Sequence, residues 1–201
     1  MAYSEFSIEE VKARFQLQID EGQEVFAGIP AVPVSALLTE TLAENLPLAV
    51  ALSTEKARSE LIIMPVLMEV RRQVERRVSL FSGVDFPVDP SKGLTGVCDF
   101  LVSLSPEQLT VEAPVIAIVE AKNDNLKSGL GQCIAEMVGA RLFNERKGRI
   151  IPRVHGVVTT GSLWKFMSFE GSVVSLDLRE YPISELGRVV GILVSMARVV
   201  S

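Results

Sequence analysis

A chain of 201 residues, 48% hydrophobic and 22% charged, with a mean hydropathy of +0.32, has enough apolar mass for one domain with a substantial core. No run approaches the ~18–20 apolar residues of a membrane-spanning helix, and Met1–Glu5 has neither a basic nor an apolar leader region, so a cytoplasmic chain without a membrane partner is expected. The formal net charge of −5 argues against a dedicated nucleic-acid binder, although carboxylates gathered around a metal would add to the same balance.

In chain order, Ser7-Ile-Glu-Glu10 is a capping box, and Val11, Phe15 and Leu17 extend it as a short amphipathic helix. Gly28–Pro33 breaks the chain, and Ser35 to Asn45 predicts a second helix ending near Pro47. Residues 1–53 carry no visible chemistry and are expected to form a helical accessory layer over a sheet. Thr54 to about Arg77 reads as a long helix kinked at Pro65. Glu60 shares a helix face with Ala57, Leu61, Met64 and Met68, the expected core side. The far half is basic (Arg71, Arg72, Arg76, Arg77) and reads either as a solvated face or as a phosphate-facing patch.

Leu80 to Pro87 predicts the first strand, and Asp89–Gly93 the turn after it. Gly96–Leu104 is a second strand-like run, interrupted by Asp99, a residue type that strands disfavour. Val115–Lys122 opens with five apolar residues and closes on Glu120, Ala121 and Lys122. Such a run is expected to be covered on both faces, and its two charges, two positions apart, project from the same face. Opposed residues in an antiparallel pair keep a constant sum of indices. Setting Asp99 opposite Glu120 centres the turn between Leu109 and Thr110, inside the turn-like stretch between the runs. The two carboxylates are therefore expected to face one another, with Lys122 beside them.

After a loop at Asn123–Gly129, a helix is expected from about Ser128 to Glu145, with Gln132 and Glu136 four apart on one face. Arg153–Thr160 predicts a strand, and Leu163–Phe169 with Ser172–Leu178 a hairpin. His155, the single histidine, has no partner of its kind and reads as structural. Trp164 and Phe166 could stack on bases, but core packing is the expected role. Cys98 and Cys133 lie in apolar runs and read as buried free thiols. Tyr181 onward predicts a closing helix with the stripe Ile183, Leu186, Val190, Leu193, Ala197 and Val200, apolar enough to pack on the sheet or on a second copy.

Asp99 followed by Glu120-Ala-Lys122 at the end of the next strand resembles the signature of the PD-(D/E)xK nuclease superfamily. Other pieces agree in order: Thr54–Glu60 followed by Leu61–Leu67 is similar to the acidic first helix of type I restriction-subunit-like members. Gln132 to Glu136 resembles the glutamine helix, and Gly156–Trp164 the Thr-x-Gly…Trp strand end. The leading Pro of the signature is absent, and Glu136 stands where many relatives carry Tyr.

The resemblance implies an α/β chain with a restriction-endonuclease-like mixed central sheet flanked by helices. The nuclease-like core would span residues 54–178, between the N-terminal layer (1–53) and a C-terminal helix (179–201). It implies a divalent-metal-dependent nuclease acting on DNA; because one domain offers one site and cutting a duplex generally takes two, and the closing helix is apolar enough to pack on a partner, a homodimer is expected. Asp99, Glu120, the Ala121 carbonyl and a first-helix glutamate would hold Mg²⁺ or Mn²⁺ as hard oxygen ligands. That glutamate is either Glu60 or Glu55, the latter matching the family's Glu-x-x-Arg with Arg58. Lys122 would orient or deprotonate the attacking water, and Gln132 would position the water or a phosphate. Two other readings keep the same residues: a catalytically silent nucleic-acid-binding or scaffold module, and a structural Glu120–Lys122 ion pair without metal.

Overall fold

The apolar run Val115–Ala121 is a strand buried along its whole length, because it lies mid-sheet with helices on either side. The structure, a computed structural model, describes residues 1–198; Val200, the last member of the expected closing-helix stripe, lies outside the described residues.

The strands are β1 (Gln18–Asp20), β2 (Ser79–Asp85), β3 (Val97–Ser103), β4 (Val115–Ala121), β5 (Val154–Thr159), β6 (Leu163–Glu170), β7 (Val173–Leu176) and β8 (Tyr181–Pro182). They form one eight-stranded mixed sheet in the order β1-β7-β6-β5-β4-β3-β2, with β8 beside β6. The pairs β1/β7 and β4/β5 are parallel and the others antiparallel. Helices α1 (Ile8–Phe15) and α5 (Leu126–Arg146) cover one face; α2 (Ala36–Leu52), α4 (Met64–Gln73) and α6 (Leu186–Ala197) cover the other. The expected mixed α/β architecture is present.

Each face has its own core. Ile118, Val158 and Met167 pack under Leu130, Ile134 and Met137 of α5, while Val119, Val157 and Phe166 pack against Ile63, Val66 and Val190 on the other side. Period-two alternation along β4 and β5 feeds the two cores from the same strands. Trp164 and Phe166 are fully buried, as their expected core role requires. Cys98 and Cys133 are buried and free.

Several boundaries differ from the sequence reading, each for a physical reason. Residues 1–53 are not a separate layer: Tyr3, Phe6 and Val11 join one core, Leu38, Leu42 and Ala49 the other, and β1 extends the sheet. Helix α2 does not stop at Pro47 but runs to Leu52. Pro47 removes one backbone donor, whose acceptor would be the Ala43 carbonyl. Both residues are exposed, so that carbonyl can turn to water, while Leu38, Leu42 and Ala49 keep the helix seated.

The long helix around Pro65 is continuous from α3 (Glu55–Arg58) through a π-helical segment, Ser59–Ile63, into α4. The widened turn directly ahead of Pro65 accommodates the proline without breaking the helix, an irregularity at the place where a kink or break was expected. The helix ends at Gln73 rather than Arg77, because Glu75 and Arg76 are left-handed at φ 56° and 60°. The closing helix starts only at Leu186, after β8 and a 3₁₀ turn at Ile183–Glu185. Its apolar residues Val189, Val190, Ile192, Leu193 and Met196 are buried within this chain, so the stripe is satisfied internally and gives no support for a second copy.

Candidate active site

Strands β3 and β4 pair in the register expected from the indices: Phe100 opposite Val119, Leu101 opposite Ile118 and Val102 opposite Ala117. Continued one step beyond the last paired residues, Phe100 and Val119, the same register sets Asp99 level with Glu120. The Ala121 N–H donates to Oδ2 of Asp99 at 2.8 Å, so the Asp99 side chain continues the ladder where the backbone ladder stops. Glu120 is also level with Val158 on β5, and Val158 with Lys165 on β6. Asp99, Glu120, Val158 and Lys165 thus form one row on the face covered by α5.

Lys122 leaves the same end of β4, its N–H bonded to the Thr159 carbonyl at 2.8 Å. Its Nζ donates to Oε1 of Glu120 at 2.6 Å and to Oε1 of Gln132 at 3.4 Å. The Glu120 side chain is 2% exposed and that of Lys122 18%. Burial pushes the Glu120 carboxyl upward, with Asp99 adding to the shift and Lys122 opposing it. For Lys122, burial disfavours the ammonium, but Glu120, Glu55 and Asp99 outweigh it and lift its pKa above the ordinary lysine range.

Helix α5 can lie against Lys122 because residue 129 is glycine. A Cβ there would stand 2.8 Å from Cγ1 of Val158 and 3.0 Å from Cε of Lys122, well inside van der Waals contact. One turn on, Gln132 accepts from Lys122 and donates through Nε2 to Oε1 of Glu136 at 3.1 Å. Glu136 is fully buried. Its carboxyl is driven well above the usual range by burial first and by Glu120 next. One oxygen of each buried glutamate, Oε2 of Glu120 and Oε2 of Glu136, has no hydrogen-bond partner.

The two first-helix glutamates part ways. Glu60 is exposed and paired with Lys56 at 2.7 Å, so the structure does not bring it to this cluster. Glu55, in the first turn of α3 behind the Thr54 cap, is likewise exposed, but it lies in the field of Lys122 and Asp99, and what desolvation it has raises its carboxyl pKa. Arg58 seats that helix. Its guanidinium donates to the Thr160 carbonyl at 2.9 Å, to Oγ of Ser162 at 3.3 Å and to Oδ1 of Asn123 at 3.3 Å. The arginine-rich end of the helix is elsewhere, about 24 Å along the axis from Glu55 to Arg71 at 1.5 Å per residue. There Arg72 pairs with Glu69 and Arg77 with Glu75, and Arg71 donates to the Val78 carbonyl.

Two members of this site were not singled out from the sequence. In the sequence Arg58 appears only as part of a motif, and Glu136 as a helix polar at a position where the resembling family often carries Tyr. Glu136 does carry a signal, since Gly129, Cys133, Glu136 and Ala140 follow one helical stripe and every other member is small and apolar. The chain matches no family model, no curated protein and no solved structure.

Chemically, the cluster offers two facing carboxylates, a lysine held between two acceptors, and a further glutamate at the solvent side. Among the described residues, no group of three or more His, Cys, Asp or Glu side chains is placed to hold a metal ion.

Proposed function

We propose that the chain is a divalent-metal-dependent nuclease acting on DNA, built on a restriction-endonuclease-like fold of the PD-(D/E)xK type. The observation that carries the reading is the triad at the ends of β3 and β4. Asp99 faces Glu120 across the strands, and Nζ of Lys122 sits 2.6 Å from Glu120.

The donor set fits an Mg²⁺-like ion. Such an ion is ordinarily held by one or two carboxylates with waters completing its shell, and Oε2 of Glu120 is a buried hard oxygen without a partner. Asp99, Glu120 and the Ala121 carbonyl would hold the ion, with Glu55 at the solvent side. When bound, it supplies Lewis-acid activation of water and of the phosphoryl oxygen. Lys122, whose raised pKa keeps it an ammonium, orients the water and offsets charge developing on the phosphate. Proton abstraction by this side chain is not part of the reading. Gln132 holds Lys122 from the side away from Glu120. A homodimer would bring two such sites to the two strands of a duplex.

A second reading, a silent scaffold with a structural Glu120–Lys122 pair, is favoured by the net charge of −5. Incubating plasmid and single-stranded DNA with wild type and Lys122→Ala, in Mn²⁺ and in chelator, separates the two. The nuclease reading expects cutting only by wild type with metal, with DNA binding retained by the variant. Equal cutting by both proteins, from preparations shown free of contaminating nuclease, removes Lys122 from the mechanism; no cutting at all leaves the scaffold.

A further inference from the structure

We infer that Glu136 is a positioning residue of this site, fixing Lys122 through the amide of Gln132; the inference rests on the nuclease reading. The starting point is an apparent cost. A carboxyl with no solvent exposure and one unpartnered oxygen burdens the folded chain, and an apolar side chain of similar volume would ordinarily be as stable or more so there. Its neighbours on the stripe, Cys133 and Ala140, show that the environment is apolar. Groups retained at such a cost belong with function more often than with stability.

The hydrogen bonds supply the function. Oε1 of Glu136 accepts from Nε2 of Gln132, and this contact decides which end of the amide faces Lys122. With Nε2 committed to Glu136, the carbonyl end points at the ammonium, 3.4 Å away. The flipped amide would set NH₂ against the ammonium, which is unfavourable, and would give up the bond from Nε2 of Gln132 to Oε1 of Glu136. Without an acceptor at position 136, nothing on this side selects between the two orientations. Lys122 has three N–H donors; Glu120 takes one and Gln132 another, which directs the third toward substrate. Glu136 makes no hydrogen bond to Lys122, and its one hydrogen-bonded link to the lysine runs through Gln132.

The test is a cycle of steady-state cleavage measurements on wild type, Glu136→Leu, Glu136→Gln, Gln132→Leu and the double variant Gln132→Leu/Glu136→Leu, each with its melting temperature. Glu136→Leu is expected to lower kcat about tenfold to hundredfold, as expected for a misplaced catalytic group, with KM unchanged and no loss in melting temperature. Glu136→Gln keeps a carbonyl acceptor and is expected to restore most of kcat. The double variant is expected to be no slower than Gln132→Leu alone, because the second change removes nothing that still acts. Should Glu136→Leu fail to fold, Glu136→Met, unbranched and adaptable, replaces it in the cycle.

Glu136→Leu cutting at the wild-type rate, or the two losses multiplying in the double variant, overturns the inference. A Glu136→Gln protein as slow as Glu136→Leu does the same. A wild type that cuts nothing fails the nuclease reading itself, and that outcome is visible before any variant is measured.

Discussion

Gly129 lies directly against the stem of Lys122: a Cβ at position 129 would stand 3.0 Å from Cε of the lysine and 2.8 Å from Cγ1 of Val158. The approach of α5 to the site is therefore set by the absence of a single methyl group. Gly129→Ala gains about 1 kcal/mol of helix propensity but overpacks the contact, which typically costs about 1–3 kcal/mol. A small net loss of stability is expected, together with a cleavage rate at least about tenfold lower, because Lys122 must move. A variant with unchanged rate and raised melting temperature would mean that the lysine stem tolerates displacement.

The facing carboxylates make a second expectation. With no cation between them, Asp99 and Glu120 repel, and Lys122 offsets this only in part. Asp99→Asn keeps an acceptor for the Ala121 N–H while removing a charge, so the metal-free variant should melt above wild type. Mn²⁺ should raise the wild type and leave the variant unmoved. Saturation at about 100 times the dissociation constant stabilises by ~2.7 kcal/mol, and each kcal/mol moves the midpoint of a domain this size by roughly 2–4 °C. Differential scanning fluorimetry reads both arms. An inert wild type with a destabilised Asp99→Asn marks the carboxylates as structural.

Glu136 gives the pH dependence. Burial holds its folded-state pKa well above the ordinary glutamate value, so the folded protein binds the proton more tightly than the unfolded chain. The stability this proton supplies is fully present below the unfolded value and is lost as pH rises toward the folded pKa. The charged and titratable groups acting on or facing Glu136 are Glu120, Asp99, Lys122, Cys98, Cys133 and Tyr3. His155, held down at about 4 by burial, works in the opposite direction below the ordinary histidine range, so the comparison is made against a variant that keeps it. The melting temperature of Glu136→Gln minus that of wild type should grow as pH rises above 4.5. A difference independent of pH would contradict the buried, proton-holding environment.

A control lies on the opposite face. Glu69 is buried and accepts from the Ser35 N–H at 3.0 Å, from Oγ of Ser35 at 2.7 Å and from Nε2 of Gln73 at 3.1 Å. It thereby fastens the start of α2 to α4. Glu69→Ala leaves those donors without their acceptor at a cost of about 1–3 kcal/mol, roughly 2–4 °C per kcal/mol, with catalysis per folded molecule unchanged. A selective loss of cleavage rate would tie the α2–α4 junction to the site.

The pairing of Asp99 with Glu120 could be read from the chain because a hairpin is local: its register follows from two apolar runs, a turn and the two-residue period. The strand β1 could not, since three residues carry no pattern and their partner, Val173–Ser175, lies far along the chain. Both prolines sit in helices that continue past them. Pro47 sits where the orphaned carbonyl has solvent, and Pro65 where a π-helical turn makes room, and neither circumstance is written locally. Glu55 and Glu60 are five positions apart on one helix, and only the seating of α3 decided which of them lies in the field of Asp99 and Lys122.

That seating is the work of Arg58, whose three acceptors sit on Asn123, Thr160 and Ser162. One guanidinium fastens together segments separated by about a hundred positions of chain, on the face of α3 that follows Glu55 by one turn. The joint resembles a rivet through three plates: α3 is held to both loops that border Lys122, while the exposed Glu55 side chain one turn earlier keeps its own rotational freedom. Exchange of amide hydrogens along α3, at Asn123 and at the Thr160–Ser162 turn is therefore coupled, and loosening any one of the three segments unfastens the other two.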